Sequence, residues 1–212
     1  MSAADHIVYV VDDDFRMREA LQDLLTSAHL NVETFSCAAD FIGAAKPDVP
    51  ACLLLDLELP DINGLDLQAR IASANHPHIV FITGHADVPS SVRAFKAGAV
   101  DFLTKPFSES ELLNAIDAAI ARDRDARVKR VELAALQRRM SGLTPREREV
   151  FPLVASGLLN KQAAATLRIS ETTLQIHRGK IMHKMEAESL ADLVRMAAAL
   201  GIPITHSRRS LA

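Results

Sequence analysis

The sequence predicts an α/β domain built on a five-stranded, doubly wound parallel sheet, followed by a helical linker and a small all-α domain of four helices. Three observations predict it. Strand-like apolar runs recur at "HIVYVV" (6–11), "NVETF" (31–35), "ACLLLD" (51–56), "HIVFIT" (78–83) and "VDFL" (100–103), with helix-like segments between them. Several of these runs are nearly continuously apolar, as strands buried on both faces are. Charge is also divided along the chain. Residues 1–122 hold 8 Lys/Arg against 18 Asp/Glu, residues 123–140 hold 6 against 3, and residues 141–212 hold 10 against 6.

The elements follow in order. Helical segments are expected at 15–28, 37–45, 64–75, 87–97 and from 109 onward. Strand alternating with helix five times argues for a parallel sheet with helices on both faces. From Ser108 to about Met140 no Gly or Pro interrupts a helical pattern. Ser108 and Glu111 have the spacing of a capping box, and Leu112, Leu113, Ile116 and Ile120 form one apolar face. "ARDRDAR" (121–127) then breaks that face with interleaved charges, and Val128, Val131, Ala135 and Leu136 resume a stripe too short for a stable coiled coil. A helical linker is the expectation. In the C-terminal part, Thr144, Pro145 and Glu147 make a helix start, and Gly157 closes that helix. Further helices are expected at 160–167, at 171–185 capped by Ser170, and at 188–200 before Gly201 and Pro203. The tight turn at "LRIS" makes this a helix-turn-helix arrangement. The expected domains are 1–122, a linker at 123–140, 141–206, and a tail at 207–212.

An acidic part joined to a basic part reads as two domains with different partners, and a small basic domain points toward nucleic acid. No apolar run is long enough to span a bilayer, and no secretory h-region follows the N-terminus. Cys37 and Cys52 stand in no metal-type spacing, so reduced thiols in a cytoplasm are expected.

The stretch "VYVVDDDF" (8–15) sets three carboxylates side by side at the end of a strand. Adjacent carboxylates repel, and folded proteins commonly use such a group to hold a cation or tune a pKa. In open parallel sheets the chemistry lies outside the carboxyl ends of the strands. The first strand ends at Asp12 and Asp13, the third at Asp56, the fourth at Thr83, and Lys105 follows the fifth. Each alone has a plain explanation as a cap, a strand residue or a surface charge. Together they make one rim of acids, a hydroxyl and an ammonium. A Mg²⁺-dependent phosphatase with an aspartyl intermediate would use a similar rim, but there is no cap domain for a substrate, and Leu57 and Glu58, not a second Asp, follow Asp56. In the C-terminal part, "TTLQIHRGKIMHKM" (172–185) places Leu174, Ile181 and Met185 on a buried stripe. Gln175, His177, Arg178, Lys180 and Lys184 face outward, as a solvated amphipathic helix or a major-groove reader would have them.

Residues 5–122 resemble a response-regulator receiver domain, with a flavodoxin-like fold, through "VDDD" (11–14), "LLLDLELPDINGLDL" (53–67) and "ITGHADVPSSVRAFKAGAVDFLTKPF" (82–107). The resemblance implies phosphorylation at Asp56. It implies Mg²⁺ (or Mn²⁺) held by Asp12, Asp13, Asp56 and the backbone carbonyl of Glu58. Asp14 is left to solvent. Lys105 and Thr83 would contact the phosphoryl group, Phe102 would swing inward, and Pro106 would carry a cis bond that aims Lys105. Glu58 and His85 would flank the path of the hydrolytic water and tune the lifetime of the acyl phosphate.

Residues 142–200 resemble the LuxR-type DNA-binding domain through "LTPREREVF", "GLLNKQAAATLRIS" and "HRGKIMHKM", and the whole chain is similar to FixJ/NarL-type response regulators, most of all the FixJ-like branch. The resemblance implies a bacterial transcription regulator, not an enzyme beyond self-phosphorylation and self-dephosphorylation. It would take its phosphoryl group from a sensor histidine kinase, dimerise when phosphorylated, bind promoter DNA and act on RNA polymerase. Gln175, Ile176 and Gly179 would face bases, and Lys161, His177, Arg178 and Lys184 would contact phosphates. Pro152 inside a helix and a small Ala163 depart from the family pattern and put the packing of this domain in question. A constitutive DNA binder with a relic receiver is the other reading, and the complete acid–Thr–Lys set argues against it.

Overall fold

The computed structural model describes residues 6–72, 76–84 and 87–204, so His85 and the tail at 207–212 lie outside the described residues. The strands are β1 (Ile7–Val11), β2 (Val32–Phe35), β3 (Ala51–Asp56), β4 (His78–Thr83) and β5 (Asp101–Thr104). The helices among them are α1 (Phe15–Ser27), α2 (Ala38–Gly43), α3 (Gly64–Ile71), α4 (Val88–Lys96) and α5 (Glu109–Ser141). All pairings are parallel, in the order β2-β1-β3-β4-β5. This is the doubly wound sheet that the alternating pattern predicts.

The alternation of side chains along a strand divides the core in two. Tyr9, Val11, Leu53, Leu55, Ile79 and Phe81 pack on one face with residues of α2, α3 and α4. Val8, Val10, Cys52, Leu54, Val80 and Ile82 pack on the other with residues of α1 and α5. Burial of both faces is why β3 reads as an unbroken apolar run, every residue of it buried. Desolvation in this core pushes the Cys52 thiol far up, so it stays protonated and unreactive.

The chain divides into two compact units between Arg127 and Val128, beyond the end of the first domain expected at residue 122. The cause is a buried acid in the charged stretch of α5. Asp123 is fully buried and accepts from the Ala51 amide at 3.0 Å and from Arg127 Nε at 2.6 Å, and its Oδ1 lies 3.4 Å from His78 Nδ1.

The second unit holds α6 (Pro145–Ala155), α7 (Asn160–Leu167), α8 (Glu171–Met185) and α9 (Leu190–Ala199) around one core. The Thr144–Glu147 capping box forms as the spacing predicts. α9 starts later than expected because Ser189 and Asp192 make their own capping box. Pro152 sits inside an α6 that runs on through it, and the Ser156 amide donates to its carbonyl at 2.9 Å. Ala163 is fully buried, so the core closes around the small side chain.

Leu159, at the N-cap of α7, has no side-chain acceptor to offer and is 69% exposed. Its own amide is satisfied by Gln162 Oε1 at 3.0 Å, and its carbonyl accepts from the Gln162 and Ala163 amides at 2.9 and 3.0 Å. Leu159→Ser is expected to stabilise the second unit by about 1 kcal/mol, because a serine at an N-cap accepts from the first-turn amides. Chemical denaturation of the full chain reads this directly, and an unchanged or lowered midpoint contradicts it.

Candidate functional site

Three consecutive acids serve different purposes. Asp12 follows β1 and is fully buried; its Oδ1 accepts from the Asp14 amide at 2.9 Å, and its carbonyl accepts from Arg18 Nη1 at 2.7 Å. Asp13 is exposed beside it. Asp14, left to solvent in the sequence reading, is exposed and also forms the N-cap of α1, accepting from the Arg16 amide at 2.8 Å. Asp56 ends β3, nearly buried, and its Oδ1 accepts from the Glu58 amide at 3.2 Å. The register Asp56↔Ile82 puts β3 and β4 side by side, so Thr83 follows at the same rim, buried.

Lys105 reaches this rim from the segment after β5. Its Nζ donates to Asp12 Oδ2 and to Asp56 Oδ2, both at 2.7 Å, and its amide donates to the Thr83 carbonyl at 2.8 Å. Burial alone would lower the pKa of this lysine, but the two carboxylates outweigh it and hold the ammonium above its ordinary value. Asp12, Asp13 and Asp56 each offer a carboxylate oxygen within 4.8 Å of the others. Hard oxygen donors in this arrangement suit a divalent cation. The Lys105–Pro106 peptide is cis. Phe102 is half-buried opposite Phe81 in register, with ring centroids 6.0 Å apart. Glu58 is exposed and bridges to Asn63.

Gly64 belongs to the site although the sequence reading passed over it. It opens α3, and its amide donates to the Leu57 carbonyl at 2.8 Å. A Cβ there would run into the Asp56 carbonyl oxygen and come within 3.1 Å of Leu57 Cα. Both obstacles are backbone and cannot swing aside. Gly64→Ala is therefore expected to cost about 1–3 kcal/mol of receiver stability, as overpacking does, and to weaken metal binding by displacing Asp56. Denaturation and a Mg²⁺ titration check the two effects.

In the second unit, Leu174, Ile181 and Met185 of α8 are buried as expected. Lys161, Gln175, Gly179 and Lys180 are exposed, and Ile176 is 54% exposed, unusual for its type. Arg178 is half-buried, with Nη1 3.3 Å from Asn160 Oδ1. His177 Nδ1 is buried with no partner among the described residues. Lys184 differs from the rest. Its Nζ turns back to Glu147 Oε2 at 2.7 Å and to the Gly142 carbonyl at 3.3 Å. Glu147 is only 2% exposed, and the Lys184 ammonium, with the Thr144 amide, pulls its pKa down to about 2. Lys184 is thus a pin between α8 and the start of α6. The outward position that helical periodicity gave its Cα did not reveal where its long stem leads.

No helix among the described residues is long and apolar enough to cross a membrane. Residues 8–117 match the response regulator receiver domain, and residues 141–197 match the luxR family of bacterial regulatory proteins. The chain is 49% identical to Nodulation protein W of Bradyrhizobium diazoefficiens, covering 96% of this chain and 90% of that protein. It is 39% identical to the transcriptional regulatory protein FixJ of Azorhizobium caulinodans, covering 92% and 93%. Among solved structures it is similar to the response regulator StyR, with a TM-score of 0.75 and 43% identity over 92% of this chain and 99% of that one. With an acidic rim on a receiver sheet and a helix-turn-helix unit after it, the chain belongs to the FixJ-like response regulators, transcription regulators that join a receiver to a LuxR-type DNA-binding domain.

Proposed function

We propose that this regulator is switched by phosphorylation of Asp56 and, once phosphorylated, dimerises and binds promoter DNA more tightly. The observation that carries the reading is the rim itself, with Lys105 2.7 Å from a carboxylate oxygen of both Asp12 and Asp56, and Asp13 beside them. An architecture of receiver plus LuxR-type domain implies a kinase as phosphodonor and promoter DNA as target.

In the proposed step an Asp56 carboxylate oxygen attacks the phosphorus of a phosphorylated sensor kinase histidine or of a small phosphodonor. A new O–P bond forms as the bond to the leaving group breaks. Asp12, Asp13, Asp56 and the Glu58 carbonyl would hold Mg²⁺ or Mn²⁺, which neutralises charge on the transferring group when bound. Lys105 already touches Asp56 and so lies within reach of a phosphoryl oxygen carried there. The Thr83 hydroxyl donates to another phosphoryl oxygen, and Phe102 packs inward behind it. Glu58 flanks the route of the water that later hydrolyses the acyl phosphate. The chemistry proposed for the chain is its own phosphorylation and dephosphorylation.

Dimerisation would use the α4–β5 face. Val88, Val92 and Phe95 of α4 lie there, one helical stripe left 75%, 44% and 49% exposed. On DNA, Gln175, Ile176 and Gly179 face bases, while Lys161, His177 and Arg178 contact phosphates. Lys184 supports α8 from behind. The regulator works in the cytoplasm and acts on RNA polymerase. The domains are a receiver, a linker in α5 and the helix-turn-helix unit, with the receiver ending at Arg127.

The test is oligomeric state and promoter-fragment affinity of the full chain, with and without acetyl phosphate and Mg²⁺. Dimerisation and tighter binding only with the donor are expected. Equal binding in both conditions would favour a constitutive DNA binder.

A further inference from the structure

We infer that Asp123 and Arg127 form a clamp that fixes how α5 leaves the receiver, and that this clamp transmits the state of the phosphorylation site to the DNA-binding half. The transmission part rests on the function proposed above.

The clamp gathers three distant segments. Asp123 accepts from the amide of Ala51, the first residue of β3, at 3.0 Å, and lies 3.4 Å from Nδ1 of His78, the first residue of β4. Arg127, one helical turn on, donates to Asp123 at 2.6 Å and also pairs with Asp48 in the segment before β3. β3 ends at Asp56, and β4 ends at Thr83. The two strands that carry the acceptor and the switch hydroxyl are thus tied, at their opposite ends, to the helix that continues toward the DNA-binding unit.

Apolar packing does not hold this part of α5. Its buried hydrophobic side chains stop at Ile120, and the next large ones, Val128 and Val131, are 53% and 68% exposed. Arg127 is the last residue of the first compact unit. Between Ile120 and the linker the clamp is the attachment. A buried ion pair is a weak stabiliser compared with apolar packing, but it specifies geometry. Asp123 accepts from the Ala51 amide and from Arg127 Nε at fixed directions and lies 3.4 Å from His78 Nδ1, and together these constrain the rotation and register of α5.

The full-length chain tests this through Asp123→Asn, Arg127→Gln and Arg127→Lys, with acyl-phosphate yield, promoter affinity with and without acetyl phosphate and Mg²⁺, and amide hydrogen exchange measured on each. Asp123→Asn and Arg127→Gln should raise exchange across 124–135 by about tenfold in the unphosphorylated protein, as local opening becomes easier. Acyl-phosphate yield should stay at the wild-type level, while the phosphorylation-dependent gain in promoter affinity falls by about fivefold or more. Arg127→Lys should recover part of that gain, since it keeps the charge and loses the fork that spans two acids. Unchanged exchange in Asp123→Asn and Arg127→Gln overturns the clamp. Raised exchange with an undiminished gain overturns its role in transmission. A wild-type protein that is phosphorylated yet gains no promoter affinity overturns the proposed switch and the transmission with it, while the exchange data still decide whether the clamp holds α5.

Discussion

Asp56→Asn protein given acetyl phosphate and Mg²⁺ will take up no phosphoryl group, and its promoter affinity and oligomeric state will stay at their unphosphorylated values. The amide lacks the charged oxygen that attacks phosphorus. It also removes one of the three carboxylates within 4.8 Å of each other, so affinity for a divalent cation falls by about tenfold or more. The fold should survive. Asn is nearly isosteric, Lys105 keeps its 2.7 Å bond to Asp12, and the Glu58 amide keeps an acceptor in the side-chain carbonyl. Stability should shift by no more than about 1 kcal/mol, the net worth of one hydrogen bond. Mass spectrometry of the treated protein decides the point. A phosphoryl group on the Asp56→Asn variant would move the acceptor to Asp12 or Asp13 and remove the basis for the proposed mechanism.

Glu147→Ala will destabilise the DNA-binding unit by about 2 kcal/mol, less than the loss of one partner from a fully buried ion pair, because the Lys184 side chain is 36% exposed. The variant loses the acceptor for the Thr144 amide at 2.9 Å and the partner of Lys184 at 2.7 Å. Two elements are released at once, the start of α6 and the far end of α8. Glu147→Gln keeps the cap and loses the charge, so it should fall between wild type and Ala. The effect carries a pH signature. The folded-state pKa of Glu147 is depressed from 4.5 to about 2, so its contribution is full above the unfolded pKa and is lost as pH falls from 4.5 toward 2. Wild type and Glu147→Ala should therefore converge in stability on acidification across that window. A gap that stays constant from neutral pH to about pH 3 would show that Glu147 acts through packing alone.

Most of the receiver was legible because its strands are buried on both faces. β3 and β4 carry the bounds the apolar runs suggested, 51–56 and 78–83. The rim was legible for a topological reason: a parallel sheet sends every strand's carboxyl end to the same edge, so Asp12, Asp56 and Thr83 could be placed together before any distance was known. What escaped notice depends on contacts far apart in sequence. Asp123 sits among alternating charges and reads as solvated surface, and only the amide of Ala51 reveals it as a buried acceptor. Asp14 is exposed as expected, and only its cap on α1 went unread, because the run of acids drew attention to cation binding. Gly64 follows Asn63 in what looks like an ordinary turn, and its constraint comes from the Asp56 carbonyl across the loop. Lys184 misled through its length, for periodicity places a Cα and not the end of a four-carbon stem.

The two short bonds of Lys105 give the acidic rim a counterion of its own. A tethered charge keeps the same local concentration whatever the salt outside. Dissolved cations, by contrast, thin out with dilution. Lys105 thus offsets one of the three carboxylate charges whatever the bath holds, and an incoming ion meets a rival that never diffuses away. Occupancy by the metal becomes a contest decided by affinity for carboxylate oxygens rather than by charge alone. Monovalent salt should then act mainly on the charge that Lys105 leaves unpaired, with exposed Asp13 the part most open to screening.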